Sequence, residues 1–509
     1  MSAQTMGKLP IRMGTDKEFD RVATALKDAQ FNEETILRIF KIERMSDVNS
    51  PKPEDVDLTG VSPQLRTLIQ LFLHLKLVPR PEVEAALERA TVDAFVSLGL
   101  ISREGFGVDH YHATILLYPV AGFLMVSDRH SNPDGSPFDA PPDIVFPAIF
   151  GGTLRFLELL PRKPGTDALD LCAGSGIGAF LLSRFNRRAV SSDITQRATD
   201  FAAFNRALNK LENVEVVCGD LYEAVKDRTF DRIVAHPPYV PSLEVAAIWR
   251  DGGTTGEFLV RKIIEGVAER LRAGGIFFML SLGLDTKEGR FEERARSWLG
   301  DVRDEFDIIF AAAHERVPSQ VLRDIAERDD RFGVAGMKRL EQVLEKAGVV
   351  KMPYGALMLQ RHAVPGEHKP WTLRTRMSEA NDPADFEQAF QLHRYFEQPG
   401  AQKSLAQAKL RLAPRLQVKV THVVHEGTLV PGEYIFETDK PFDVMGELDG
   451  WLVPLILRFD GTTTAAEAYE AARSEGQLPE GFGLGDFTAM LERMIERGYL
   501  LLPSSGQQS

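Results

Sequence analysis

The sequence predicts an α/β fold in which a doubly wound parallel sheet of seven strands is flanked by smaller domains. Apolar segments of strand length alternate with amphipathic helical segments over residues 154–363, which is the pattern of a parallel sheet covered by helices. The first of those strands leads into a glycine-rich turn, and the composition changes on either side of the core. We expect domains at residues 1–112, 113–153, 154–370 and 371–509.

Residues 1–112 predict a helical domain of winged-helix type. The segments TILRIFKI, QLRTLIQLFLHL and PEVEAALERATVDAFVSLGL place apolar residues three and four positions apart, and the last leads into the hairpin pattern GLISREGFGV. Residues 113–153 begin with ATILLYPVAGFLMV, which is too short to span a bilayer and predicts two buried strands. A loop rich in proline, aspartate and glycine then leads into the core.

The core predicts seven strands, and a change in composition after PGEHKPW marks its end. We expect the strands in DALDLCA, RAVSSDI, VEVVCGD, FDRIVAH, GIFFMLSL, FDIIFAAA and GALMLQRHA. Residues 371–509 predict a small α+β domain, again winged-helix-like, that ends in the helical segments DGTTTAAEAYEAARSEG and DFTAMLERMIERGYLLL. Neither segment is basic enough for a helix that faces nucleic-acid phosphates.

Composition narrows the class of function. The formal net charge of -13 gives no basic field to attract a polyanion, which argues against nucleic acid as a partner. Two cysteines in 509 residues rule out a disulfide framework, and residues 1–20 contain no apolar signal segment, so we expect a cytoplasmic protein that does not engage a membrane. His110 and His112 alternate on a strand without a third ligand nearby, so we expect no metal site.

A glycine-rich turn follows the first core strand in ALDLCAGSGIGAFLLSRF. Gly174, Gly176 and Gly178 let the chain turn sharply and let a ligand approach the backbone, while the next helix offers free N–H groups. Asp170 precedes the glycines and no phosphate-binding lysine follows them, which favours a ligand with a cationic or amino group. We therefore expect a nucleoside-binding turn to which Ala173 also contributes; the alternative is that the glycines serve packing only.

Acidic residues lie at the ends of the next two strands. Asp193 in SSDIT lies about twenty residues past the glycines, where a carboxylate binds ribose hydroxyls, although it could instead cap the following helix. Asp220 and Leu221 in CGDL lie at the next strand end, on the edge where open α/β sheets bind ligands. S-adenosylmethionine combines an amino group with an adenosine, and it is the cofactor that these residues predict.

The fourth strand ends abruptly in HPPYVPS. By resemblance to enzymes with an (Asn/Asp)-Pro-Pro-Tyr motif, His236 and the carbonyl after it could accept the hydrogens of a planar amino group, which is a poor nucleophile because its lone pair is delocalised. Pro237 and Pro238 stiffen the loop, and Tyr239 can stack on a flat acceptor. His236 could equally act as a general base toward a hydroxyl or an amine, or cap the strand end without a chemical role.

Together these motifs resemble the class I S-adenosylmethionine-dependent methyltransferases. DLCAGSGIG, SSDIT, CGDL and HPPYVPS follow the order and spacing of that family, and most resemble the branch of the release-factor glutamine methyltransferases and the (Asn/Asp)-Pro-Pro-Tyr amino-methyltransferases. The resemblance covers residues 146–362 and implies a Rossmann-like sheet in which the Gly174 loop, Asp193 and Asp220 hold methionine, ribose and adenine. It also implies that His236 contacts both cofactor and acceptor, although the family has Asn or Asp there.

The resemblance implies methyl transfer to nitrogen in a protein or peptide acceptor, such as a glutamine-like amide. The alternatives are small-molecule N- or O-methylation with His236 as general base, nucleic-acid amino-methylation, and a non-catalytic nucleoside-binding scaffold. The loop before the glycine strand matches a substrate-contacting loop in the related enzymes. Asp128, Arg129 and Phe146, with Pro238, are therefore expected to contact the acceptor, unless this is an ordinary surface loop. The sequence indicates no oligomeric state.

Overall fold

The computed structural model describes residues 8–244, 246–328, 333–366 and 368–503. The chain folds as two compact units, one made of Met1–Arg303 and Arg316–Met352 and the other of Asp304–Glu315 and Pro353–Ser509. Among the described residues, no helix is long and apolar enough to cross a membrane.

The first unit begins with helices and a small antiparallel sheet of order β1-β3-β2. Side chains fix the helix starts: Thr15 and Glu18 form a capping box, and Asn32 and Ser62 each accept a backbone N–H from the helix that follows. The elements are α1 (Asp16–Asp28), α2 (Glu33–Phe40), α3 (Pro63–Phe72), β1 (Val78–Pro79), α4 (Arg80–Ala86), α5 (Arg89–Ser97), β2 (Ile101–Ser102) and β3 (His110–Ala113).

A buried hairpin joins this part to the core of the same unit. Strands β4 (Ile115–Val120) and β5 (Phe123–Asp128) pair in antiparallel register along their whole length. Ala121 and Gly122 have φ values of 51° and 75°, as a two-residue hairpin turn requires. The Asn205 amide accepts from the Val126 N–H at 2.7 Å and donates to its carbonyl at 2.9 Å, which fixes β5 to the core. The two buried strands predicted in this segment are therefore present.

The core of the first unit is a parallel sheet with strand order β10-β9-β6-β7-β8, a Rossmann-like α/β arrangement. Its central strands are buried along most of their length, which explains their continuous apolar runs. The elements are α6 (Gly151–Glu158), β6 (Gly165–Leu171), α7 (Ile177–Ser183), β7 (Asn186–Asp193), α8 (Gln196–Leu208), β8 (Val214–Cys218), β9 (Phe230–Ala235), α9 (Phe258–Arg270), β10 (Leu271–Leu282), β11 (Asp285–Thr286), α10 (Phe291–Trp298), α11 (Pro318–Arg328) and α12 (Gly333–Lys346).

The second unit contains the last two predicted core strands, β12 (Phe306–Arg316) and the greater part of β13 (Val349–Arg361). A further strand, β14 (Thr372–Arg376), pairs in parallel with β12 from Ile308 to Ala312. We expected the core to end at residue 370, but β14, which lies beyond that residue, pairs with the predicted core strand β12. The sequence after PGEHKPW gave no sign of this, because the pairing joins segments about sixty residues apart.

The remainder of the second unit is a small α+β structure around one apolar core. Leu405, Phe436, Leu455, Phe487 and Tyr499 are fully buried in that core. The elements are α13 (Pro383–Phe396), α14 (Ala401–Ala406), β15 (Arg411–Leu412), β16 (Gln417–His425), β17 (Thr428–Thr438), β18 (Val444–Glu447), α15 (Leu452–Ile456), α16 (Ala465–Ser474), α17 (Leu484–Glu496) and β19 (Leu500–Leu501).

Candidate active site

Parallel register brings the ends of four strands to one edge of the sheet in the first unit. Leu171 of β6 pairs with Ala235 of β9 and with Ser192 of β7, and Asp193 pairs with Cys218 of β8. The segments that follow these pairs emerge side by side at the carboxyl edge, where open α/β sheets bind ligands. The predicted site segments at this edge are the glycine loop, Asp193, Asp220 and His236.

The glycine loop has the geometry of a ligand-binding turn. Cys172, Gly174 and Gly176 have φ values of 56°, 53° and 90°, so the chain turns through left-handed conformations that favour glycine. The Gly174 N–H donates to the Asp193 carboxylate at 2.9 Å, which ties the loop to the next strand end. A Cβ on Gly174 would meet no atom within 4 Å, whereas one on Gly176 would lie 3.0 Å from the Phe180 ring. Gly174 therefore faces open space that a ligand can occupy, and Gly176 is required for packing.

Asp170 lies behind this loop. Its side chain is buried, and Oδ2 accepts from the Ala179 N–H of α7 at 2.8 Å. A Cβ on Gly178 would lie 2.5 Å from the same oxygen, so Gly178 makes room for the carboxyl group. Burial raises the pKa of Asp170 to about 8, and the nearby charge of Asp193 adds to the effect. The structure thus places Asp170 under the first turn of α7. For Gly178 it supports the alternative that the glycine serves packing.

We expect Asp170→Asn to become more stable relative to the wild type as the pH rises. The folded-state pKa of about 8 lies above the ordinary value of 3.8, so the folded protein holds a proton that the unfolded chain releases. Ionisation therefore lowers wild-type stability progressively between about pH 4 and pH 8, whereas an amide cannot ionise. Urea unfolding at a series of pH values measures the difference in unfolding free energy, which should increase across this window.

Asp167→Asn is the matched control for that series. Hydrogen bonds from Arg272 and Arg188 outweigh burial and hold the pKa of Asp167 below its ordinary 3.8. Its contribution is therefore lost only as the pH falls below about 4, and its difference from wild type should stay constant from about pH 5 to 8. A constant difference for Asp170→Asn as well would show that Asp170 is already ionised in the folded protein.

Asp193 is fixed at the end of β7. Its Oδ1 accepts from the Thr195 N–H at 3.0 Å while Oδ2 accepts from Gly174, and burial raises its pKa. Thr195, whose side chain accepts from the Ala198 N–H at 3.1 Å, is the N-cap of α8. The alternative that Asp193 caps this helix is therefore wrong, and Asp193 instead connects the two loops.

Asp220 presents an open carboxylate at the neighbouring strand end. It is exposed and precedes the short 3₁₀ turn Leu221–Ala224, in which Leu221 has a φ of 46°. Within the described part of the chain its side chain accepts no hydrogen bond. The charges of Asp170, Asp193 and Asp220 all act on the Cys172 thiol, whose pKa is raised mainly by burial. An acidic edge with one free carboxylate and an open glycine turn fits a nucleoside that carries a positive charge.

His236 begins the loop after β9, beside the glycine turn. Its ring is stacked on Phe156 of α6 with the centroids 5.3 Å apart, and the Tyr239 ring lies 6.1 Å away. Burial lowers the pKa of His236 to about 4, so the imidazole is neutral at physiological pH. Neither ring nitrogen is bonded to a residue that the structure describes, so a lone pair is available to a ligand. Phe156, which the sequence analysis missed, fixes the plane of this ring.

A second loop, which contains Arg250, Gly252 and Gly253, lies against Pro238 and Tyr239 and is bonded to Val240. The Val240 N–H donates to the Arg250 carbonyl at 3.0 Å, and the Gly252 N–H donates to the Val240 carbonyl at 2.9 Å. A Cβ on Gly252 would lie 2.8 Å from the Pro238 carbonyl oxygen, so only glycine allows this approach. This second loop therefore fixes the shape of the His-Pro-Pro-Tyr loop.

Two of the residues expected to contact the acceptor have other partners. Asp128 forms a buried ion pair with Arg197, with N–O distances of 2.7 and 2.5 Å, and also accepts from the Val145 N–H at 2.8 Å. Arg129 donates to the Ala113 carbonyl and to Asn132. Because both Asp128 oxygens are used inside the protein, the structure gives Asp128 a structural role in place of the predicted contact with acceptor. Arg129 organises its own loop.

Phe146 belongs to an exposed aromatic stack. Its ring lies 4.0 Å from Trp249 at 8° and 4.1 Å from Phe150 at 23°. Trp249 and Phe150 are 39% and 41% exposed, a large apolar surface for residues outside a core. Backbone bonds link this stack to the site, since Arg250 is bonded to Val240 of the His-Pro-Pro-Tyr loop. Sequence reasoning found Phe146 but missed its two partners.

Parts of the chain are similar to known protein families and proteins. The methyltransferase small domain family matches residues 149–283, and a domain of unknown function (DUF7059) matches residues 49–112. The release factor glutamine methyltransferase of Thermodesulfovibrio yellowstonii is 31% identical over 135 residues, which are 24% of this chain and 48% of that protein. The ribosomal protein uL3 glutamine methyltransferase of Bradyrhizobium diazoefficiens is 32% identical over 179 residues, 32% of this chain and 56% of that protein.

The chain thus spans about half the length of these relatives, 48% and 56%. The matched residues include the glycine loop, both strand-end aspartates and the His-Pro-Pro-Tyr loop. The resemblance inferred from the motifs is confirmed, as is the Rossmann-like core that it implied. Residues 149–283 thus match the methyltransferase small domain family, and the chain is similar in part of its length to glutamine methyltransferases.

Proposed function

We propose that the protein transfers a methyl group from S-adenosylmethionine to a planar nitrogen in a protein or peptide, in the first place a glutamine-like amide. One observation carries the proposal: His236 is a neutral imidazole with an available lone pair, at the edge where the glycine loop, Asp193 and Asp220 meet. The relatives named above act on a release factor and on ribosomal protein uL3, which supports a protein acceptor.

The chemistry follows from the roles of these residues. Bound S-adenosylmethionine supplies an electrophilic methyl group on a sulfonium. His236 and the carbonyl that follows accept the two amide hydrogens, which turns the nitrogen lone pair toward that methyl group. The acceptor nitrogen would exchange one hydrogen, lost to solvent as a proton, for the methyl group that the cofactor would supply. The Gly174 loop, Asp193 and Asp220 hold the cofactor, and Tyr239 flanks the acceptor.

The pKa of His236 favours nitrogen over oxygen as the methylated atom. An imidazole whose pKa is about 4 is a weak base and would withdraw a proton from a hydroxyl poorly. The same neutral ring is a good hydrogen-bond acceptor, which is the property that an amide acceptor requires. This argues against the O-methylation alternative with His236 as general base.

We expect methyl-labelled S-adenosylmethionine, incubated with the protein and a cell extract, to label the protein fraction. Digestion and mass spectrometry should place the methyl group on a side-chain nitrogen, with glutamine the first residue to check. Label found only in the small-molecule or nucleic-acid fraction would show that the methyl acceptor belongs to that class and is not a protein. Absence of label, while the cofactor still binds, would instead support the non-catalytic scaffold.

We also expect Trp249→Ala to raise the KM for the acceptor about tenfold with little change in kcat, because it removes one stacking surface near the His-Pro-Pro-Tyr loop. Steady-state kinetics with the labelled acceptor measure both constants. Trp298→Ala, a tryptophan packed on Phe291 in α10, is the matched control and should leave KM unchanged. An unchanged KM in Trp249→Ala would remove the aromatic stack from the acceptor site.

A further inference from the structure

The second unit contains a cluster of two histidines and one aspartate that belongs to none of the motifs above. Asp307 lies near the start of β12, and His362 directly follows β13. The His362 N–H donates to the Glu305 carbonyl at 2.7 Å, and Gly355 lies against Ala311, so β12 and β13 run in opposite directions. This antiparallel pairing brings the end of β13 beside the start of β12, where the loop with His368 also passes.

The three side chains are close together and buried. One ligand atom from each of Asp307, His362 and His368 lies within 4.8 Å of the other two. Nε2 of His368 lies 2.7 Å from Asp307 Oδ2, and Nε2 of His362 lies 3.3 Å from Oδ1. The side chains are 0%, 1% and 8% exposed for Asp307, His362 and His368. Aspartate and histidine side chains usually contact water, so three of them buried together are uncommon.

The backbone also holds this cluster in place. Asp307 also accepts from the Trp371 N–H at 3.0 Å, so its position is fixed from the backbone. Nδ1 of His362 is buried and has no partner among the described residues, and the same holds for Nε2 of His393. The His393 ring lies 6.2 Å from His368 and is stacked on Trp371 at 4.5 Å. A cation is expected here because the Asp307 carboxylate is fully buried, and a fully buried carboxylate calls for a positive charge beside it.

We propose that Asp307, His362 and His368 bind a divalent transition-metal ion of the zinc type. Two imidazoles and one carboxylate suit zinc and its neighbours, whereas magnesium and calcium take oxygen ligands. The Trp371 N–H holds the carboxylate in position, as backbone groups around metal ligands commonly do. The sequence predicted no metal site because Asp307 lies 55 residues before His362, and no local pattern connects the two.

The full-length protein, dialysed against a chelator and then titrated with Zn²⁺ or Co²⁺, tests the proposal. We expect a single equivalent of metal to bind, with Co²⁺ giving visible absorption bands of nitrogen and oxygen ligation. Bound Zn²⁺ should also raise the midpoint of thermal unfolding, because the ion binds the folded state. Asp307→Asn and His368→Gln should each lose the bound equivalent and the Co²⁺ bands.

His422→Gln is the matched control, since His422 is exposed on β16 and the substitution is the same. It should bind metal as the wild type does. Binding of S-adenosylmethionine by each variant, together with its circular dichroism, shows that the chain is folded. A wild-type protein that binds no metal, or a folded His368→Gln and Asp307→Asn pair that binds as tightly as the wild type, would overturn the proposal.

Discussion

We expect His236→Ala to lower kcat/KM for methyl transfer by about 10²-fold or more while S-adenosylmethionine still binds. The substitution removes the side-chain acceptor that orients the amide nitrogen, and it also removes the ring that is stacked on Phe156. The glycine loop and Asp193 keep their own hydrogen bonds, and the exposed Asp220 carboxylate on the neighbouring strand end is unchanged. Single-turnover methylation and equilibrium binding of the cofactor separate the two effects.

Two further substitutions separate the acceptor role from the shape of the ring. His236→Asn restores the residue that the resembled family carries at this position, and we expect it to retain most of the activity because its amide oxygen accepts a hydrogen bond. His236→Phe keeps the stacking on Phe156 but has no acceptor, and we expect it to be as inactive as His236→Ala. Full activity in His236→Phe would show that the ring serves only to fill space.

Local sequence patterns predicted the strands and the glycine turn at the candidate site, because both depend on residues that are close together in the chain. Apolar runs predicted strands β6 to β10, and glycines marked the turn that needs positive φ at Gly174 and Gly176. Parallel strands place their carboxyl ends at one edge, so the sequence order of the strands is enough to predict that Asp193, Asp220 and His236 lie at the same edge.

The parts that sequence reasoning missed depend on contacts between distant segments. Phe156 stacks on His236 across 80 residues, and Trp249 stacks on Phe146 across 103. The partner of a buried residue is set by packing of whole elements, which leaves no periodic pattern in the chain. The same reason explains why β14 was assigned outside the core and why Asp307 was not connected with His362.

Asp128 is a residue whose distant partner changes the role expected from the sequence. We expect Asp128→Ala to destabilise the protein by about 3–5 kcal/mol. The sequence favoured an acceptor contact, but the structure pairs this carboxylate with Arg197 where the two side chains are only 6% and 7% exposed. Truncation leaves the buried guanidinium without its carboxylate and removes the acceptor of the Val145 N–H. Urea unfolding at neutral pH, with the cofactor absent, measures the loss.

The double substitution Asp128→Leu/Arg197→Met distinguishes a buried ion pair from a site residue. It replaces both charges of the pair by apolar groups of similar size, and we expect it to recover part of the stability that Asp128→Ala loses, because the Arg197 guanidinium is no longer buried without Asp128. Two apolar residues could not restore a contact with the methyl acceptor. A double variant as unstable as Asp128→Ala would contradict the ion-pair explanation. Wild-type stability in Asp128→Ala with a raised acceptor KM would return Asp128 to the acceptor-binding loop.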